Sequence, residues 1–419
     1  MFKVDCHQIV KKIQIILLIL LSGFLIWKGI YPALTALDSD FPNYYTASRL
    51  FVEGKDISNI YDDVWFQSQI YSYGINRLGK FSPWPPVTIF VMTPLATFTP
   101  LNALRAWTIF NLIVLILIIM LISKITGKNT LWSSLLLLSS GLALSNNFRL
   151  GQMYLLLLLS VAGSYYFLEQ RKVTASGILL TFGSVVKYFP VIFLPLYIIK
   201  KEWKLLMISG ISMLCVVGVT YLILGKEIHS QFLSHVLMNH LSGNIQDPFS
   251  STFQSWNSLL RRLFIFDEHY NAHPFLPSPG LYYLFIGIIY GTVITLTVLA
   301  CLKARQIFGN SSSKIQWALI TICGLLLLPA GATYHFLLLC FPVGIFLSLH
   351  NQRWSVPHWI LLALYAGLGF IPYSVVKSFD GQGLLTIIAY PRLYMMTAIF
   401  VTSFLIVWRQ NNDKIQASK

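Results

Sequence analysis

Runs of about 20 apolar residues, the length a helix needs to cross a bilayer, recur along nearly the whole chain. They fall at 13–30, 104–123, 131–146, 152–168, 205–224, 281–302, 315–333, 334–349, 356–372 and 391–408. The stretch 173–199 is too long for one span and is broken at Lys187 and Pro190, so it predicts two short helices, one in and one back. About twelve crossings result, and an even number places both tails on one side. The pattern predicts an all-α, polytopic transmembrane bundle of about 11–13 membrane helices. It reads as a single integral membrane domain over residues 1–419.

Two connections are long, 31–103 and 225–280. Within the first, the segment 81–100 is apolar but carries Pro83, Pro85, Pro86, Pro94 and Pro100. A full crossing there would move every later loop to the other side of the membrane. It therefore reads as a re-entrant or interfacial helix, tolerable in a bilayer only where protein covers its irregular backbone. The first span, followed by the small residues Ala33 and Ala36, has some look of a signal peptide. Its length and the many crossings after it predict an uncleaved anchor instead.

Composition narrows the class further. Hydrophobic residues make up 56% of the chain and charged ones 11%, against ~25% charged in soluble domains. A water-soluble globule, a disordered chain and a collagen are excluded. The net charge of +15 could suggest a nucleic-acid surface, but its placement says otherwise. Lys3, Lys11, Lys12, Lys124, Lys128, Arg171, Lys172, Lys200, Lys201, Lys204, Lys303, Arg305, Lys314, Arg353, Arg409, Lys414 and Lys419 fall on one predicted face. Only Asp5, Glu169, Glu202 and Asp413 oppose them there, while the other side is nearly balanced. The positive-inside rule makes the basic face cytoplasmic, with both termini on it. The excess charge thus orients the protein, and no nucleic-acid partner is expected. Cys6 sits in the N-tail and Cys215, Cys301, Cys323 and Cys340 in apolar runs, so no disulfide between outer loops is expected.

Polar residues with chemical potential collect near the ends of helices on the less basic side. Asp38 and Asp40 follow the first span within a few residues, where partial desolvation would raise a carboxylate's pKa and improve it as a base. The alternative is that they cap the next helix, since Asp is a favoured N-cap. Two carboxylates make an incomplete metal site, and no metal is expected. Arg149 and Gln152 sit at a junction of two spans and could offer fixed donors to an anion, although a lone arginine there can simply snorkel to the interface. Lys187 lies at the bend of a hairpin with apolar flanks, where an unpaired ammonium is expensive. A lipid phosphate or a protein carboxylate would answer it. Arg261 with Arg262 could grip a phosphate or form a solvated face. His335 starts a span and is either structural or catalytic; the histidines show no metal-binding spacing such as HExxH.

Taken in order, these segments resemble glycosyltransferase family 87, the polyprenol-phosphate-mannose-dependent mannosyltransferases of the C-type superfamily. The resemblance runs from about residue 36 to 340. It rests on Asp40 with Tyr44, Gly54, Tyr61, the Pro85-Pro86 and Pro94 segment, Gly151-Gln152, Gly177 with Lys187 and Pro190, Asn257-Ser258 with Arg261, and Pro329 to His335. It departs from the family at Phe189, where members often show a simpler Lys-Pro pattern, and in having one histidine in the late segment. The resemblance implies a C-type helical bundle whose first outer loop covers an extracytoplasmic cavity, in the plasma membrane. It implies an inverting transfer of a sugar, mannose by family habit, from a polyprenyl-phosphate donor to a lipid or glycan acceptor. Asp40 would be the catalytic base with Asp38 as fallback, and Tyr44 or His335 would assist. Lys187, Arg149, Gln152 and Arg261 would hold the donor phosphate, with no cofactor needed. A transporter or flippase would instead place charges near the midplane between repeated halves, which this sequence lacks. A polymerase or ligase of lipid-linked glycans shares the topology.

Overall fold

A computed structural model describes residues 6–244, 247–349 and 354–416. Lys3, Asp5, Arg353 and Lys419, counted above on the basic face, lie outside these ranges. Among the described residues the chain is helical, and its one β feature is an isolated bridge between Asp267 and Asn271. Among the described residues, five helices are long and apolar enough to cross a membrane: Gln8–Thr35, Pro100–Thr126, Trp203–Leu224, Pro279–Phe308 and Pro391–Arg409. The bent pairs Leu142–Arg149 with Tyr154–Glu169 (119°) and Val356–Phe370 with Tyr373–Phe379 (73°) bring the number to 7 if each is one span. Four shorter apolar helices, Val173–Lys187, Phe189–Lys200, Ser312–Leu326 and Thr333–Ser348, occupy other expected crossings. The hairpin read at Lys187 and Pro190 is present. The straight span expected at 131–146 is not: the helix stops at Leu138, turns through Gly141 at φ +52° and resumes at Leu142. A Cβ on Gly141 would lie 2.4 Å from the Gly369 carbonyl oxygen, so close backbone packing fixes the break there.

Exposure identifies the solvent. The most apolar window of Trp203–Leu224 has a mean hydropathy of 2.2, yet only 11% of it is buried inside the protein. Leu214 and Leu222 on it are 74% and 83% exposed. Such a helix is stable where lipid tails cover it, and several helices share the property. The chain is a multi-pass membrane protein. At its centre, Tyr154–Glu169 is buried along most of its length and packs on Val173–Lys187 and Pro100–Thr126. Small residues permit the approach: Ser164 and Ser176 exchange hydrogen bonds to each other's carbonyls at 2.9 and 2.8 Å.

Segment 81–100 departs from its expectation. It forms no continuous helix, only the short turns Thr88–Val91 and Thr93–Leu95, because its prolines remove donors and bar the helical conformation before them. It is nevertheless covered by protein, with Phe81, Trp84, Ile89 and Met92 buried. Its carbonyls are satisfied by side chains from elsewhere. Tyr45 donates to Phe98 O at 2.7 Å, Arg49 to Ala96 O at 2.6 Å, Tyr61 to Trp84 O at 2.8 Å and Tyr188 to Pro83 O at 2.8 Å; Ser48 donates to Ile89 O. The helix Phe41–Val52 thereby locks this irregular stretch in place beside the site described next.

Candidate active site

Four side chains from three separate elements meet in one hydrogen-bonded chain. Lys187, the last residue of Val173–Lys187, donates to the Tyr44 hydroxyl at 2.9 Å. Tyr44, on Phe41–Val52, donates to Gln152 Oε1 at 3.0 Å, and Gln152 Nε2 donates to Asp40 Oδ2 at 2.5 Å. Asp40 also accepts from the Ser39 hydroxyl at 3.2 Å. Although it stands at the N-cap position of Phe41–Val52, its side chain makes no capping bond, so the capping alternative does not apply. All donors run one way, from cation to carboxylate.

Local structure explains the convergence. Gly151 adopts φ +63°, and a Cβ there would lie 2.7 Å from the side chain of Phe41. Only glycine lets this turn press against the start of Phe41–Val52, which sets Gln152 beside Asp40. The Trp107 indole holds the Gly151 carbonyl at 3.1 Å. Asn147 caps the next helix by accepting from the backbone N–H of Tyr154 and Leu155 at 2.9 and 3.2 Å, which stabilises the 119° reversal. Beyond Lys187, Tyr188 takes φ +49°, an uncommon conformation for a bulky residue, so the chain turns away immediately and Lys187 stays at the helix tip.

Asp40 and Lys187 both line a cavity of about 260 Å³, together with Ser39, Trp84, Tyr154, His240, Tyr334 and His335. The ammonium sits 5.3–5.4 Å from the ring centroids of Tyr44, Trp84 and Tyr154, a cage of aromatic faces that attracts a cation without neutralising it. Among the described residues no carboxylate forms an ion pair with Lys187. Lys187 therefore lines the cavity without a directly bonded carboxylate. Asp40 keeps some surface toward the cavity but is surrounded by protein. Burial raises its pKa above the ordinary carboxylate value, against the opposing pull of the Gln152 hydrogen bond and the Lys187 charge. Tyr44 is pushed well above its usual range by burial and then by the Asp40 charge, so it stays a protonated donor. His240 falls to about 4, from burial and then the Lys187 charge, and is neutral near pH 7.

The other expected residues divide. His335 lines the cavity; its Nδ1 lies 3.0 Å from Ala332 O and its ring packs on Tyr154 at 4.7 Å. Arg149 pairs with Asp38 at 2.9 Å on a half-exposed surface, and neither residue lines the cavity. Arg261 is held by Asn257 Oδ1 at 3.3 Å and Ser242 O at 2.9 Å, also outside it. Its neighbour Arg262 pairs with Asp380 at 3.0 Å. Asn257 and Ser255 instead donate to Pro329 O at 3.2 and 2.8 Å, so the second long loop fixes the segment that carries Tyr334 and His335. Trp84, Tyr154, Tyr334 and His240 were not singled out from sequence.

Residues 83–342 match glycosyltransferase family 87. The chain belongs to that family. It is a glycosyltransferase, and the transporter alternative falls with that assignment. No curated protein and no solved structure matches it. The matched family 87 region begins later than the resemblance read from residue 36. It contains Gln152, Lys187, His240, Tyr334 and His335 but not Asp40 or Tyr44, which join it through the Gln152 and Lys187 hydrogen bonds.

Proposed function

We propose that this family 87 enzyme moves a sugar from a polyprenyl-phosphate donor to an acceptor hydroxyl by single displacement in the Asp40–Lys187 cavity. The observation that carries the reading is one carboxylate and one lysine without an ion-pair partner lining the same cavity, linked through Gln152 and Tyr44. Asp40 takes the acceptor O–H proton while that oxygen attacks the anomeric carbon. The bond from this carbon to the phosphate oxygen breaks, and its electron pair leaves on polyprenyl phosphate. Lys187 stabilises the charge that gathers there, a contribution that grows toward the transition state. The leaving group departs as an anion without prior protonation, so the scheme uses no general acid and assigns no metal.

Mannose is the sugar the family resemblance favours, and a lipid or glycan is the acceptor. A second cavity of about 530 Å³, lined by Asn59, Asp62, Gln231, His235 and Asn239, shares Lys80 and Ser82 with the first and offers a polar approach for that acceptor. The charge distribution supports an extracytoplasmic site with both termini in the cytoplasm, and the family resemblance favours the plasma membrane.

Single displacement inverts the anomeric configuration. With a β-linked polyprenyl-phosphate sugar, NMR of the purified product should show an α-linkage. A product that keeps the β-configuration would require a covalent glycosyl-enzyme or another site, and would overturn the scheme.

A further inference from the structure

Away from the catalytic cavity, a groove of about 910 Å³ runs between Phe189–Lys200, Pro279–Phe308 and Ser312–Leu326. Its volume lies within the ~300–1,000 Å³ of small-molecule sites. Its long wall is apolar, formed by residues such as Ile294, Val298 and Leu302 on a helix whose apolar window is only 17% buried in the protein. One end differs in kind: Lys200, Lys201 and Arg305 gather there against Glu202. Lys200 donates to the Ser313 hydroxyl at 3.2 Å. One turn deeper, Gln316 is 5% exposed; its amide donates to Cys301 O at 3.2 Å, while Oε1 has no hydrogen-bond partner. A buried amide oxygen left without a donor is costly, and Gln316 lines the groove.

The groove is separated from the catalytic cavity. Phe189, which lines the cavity, and Ile192, which lines the groove, both press on Gly324, where a Cβ would lie 2.9 Å from each. A donor lipid with its phosphate at Lys187 would leave the basic end of the groove without an anion.

We infer that this groove binds an anionic phospholipid from the leaflet on the basic side. An acyl chain lies along the apolar wall, and the phosphate meets Lys200 and Arg305. The lipid is a bound structural partner, independent of the transfer scheme, and its binding is read without turnover.

The test uses the full-length protein in detergent, with phosphatidylglycerol and phosphatidylcholine as probes. Native mass spectrometry should show phosphatidylglycerol retained and phosphatidylcholine lost, and thermal melting should shift upward with phosphatidylglycerol alone. Removing each basic residue should weaken binding about fivefold, so Lys200→Gln with Arg305→Gln should weaken it about twenty-five-fold. Lys201→Gln provides a gentler variant, about fivefold weaker, should the double one fail to fold. Val298→Trp, which fills the apolar wall, should also abolish retention. Equal binding of both lipids, unchanged retention in the charge variants, or displacement of phosphatidylglycerol by a polyprenol would each overturn the inference.

Discussion

Asp40→Asn lowers transfer by about a thousandfold, within the ~10²–10⁴-fold that a positioned general base supplies. The amide is nearly isosteric and can still meet Gln152, so folding and donor binding should survive while the proton acceptor is gone. The pH profile of the wild-type enzyme carries the same signature. The base must be ionised, so kcat/KM falls as pH drops through the Asp40 pKa. Because burial raises that pKa, the acid limb should sit above the ordinary ~3.9 of an aspartate. Steady-state transfer measured across pH checks both points. Undiminished transfer in Asp40→Asn would move the base elsewhere. Asp38 is the weaker candidate, because its carboxylate is engaged by Arg149 at 2.9 Å outside the cavity.

Lys187→Met separates function from stability. Methionine has a similar length and suits the aromatic surroundings of Tyr44, Trp84 and Tyr154. Loss of a charge aimed at the leaving phosphate should cost about 10²–10³ in kcat, the scale seen when one preorganised stabilising donor is removed. Thermal stability should hold or rise, since a buried cation without an ion-pair partner is replaced by an apolar group. A purely structural lysine would give the reverse pattern, with a lower Tm and transfer lost only in proportion to unfolded protein. Lys187→Arg should recover part of the rate by restoring charge, though the planar guanidinium fits a small aromatic cage poorly.

Much of this architecture was legible in the chain because lipid imposes a simple rule, long apolar runs with charge confined to their ends. The hairpin at Lys187 followed from a cation and a proline inside an apolar stretch. Interruptions set by tertiary contact were not legible: the break at Gly141 depends on the Gly369 backbone lying against it. The course of 81–100 depends on donors from Tyr45, Arg49 and Tyr188, distant in sequence. At the site, Asp40, Gln152 and Lys187 stood out because polar residues beside apolar runs are rare, and Tyr44 came with the family resemblance. Tyr154 and Tyr334 did not, since an aromatic residue in an apolar helix reads as packing. Their closeness to Gln152 and His335 in sequence was the available signal. Arg149 drew attention by charge and Arg261 by charge and the family resemblance, and their partners are Asp38 in one case and Asn257 with Ser242 in the other.

The central claim is that this cavity transfers sugar from a lipid phosphate with Asp40 as base. The direct measurement supplies purified protein with isotope-labelled polyprenyl-phosphate-mannose and a membrane lipid and glycan extract, and follows the label by mass spectrometry. Wild type should pass label into a new glycoconjugate and release polyprenyl phosphate in equal amount, and Asp40→Asn should do neither while still binding the donor. Label that stays on the donor in wild type across sugar-phosphate lipids, or that moves equally well in Asp40→Asn, would contradict the account.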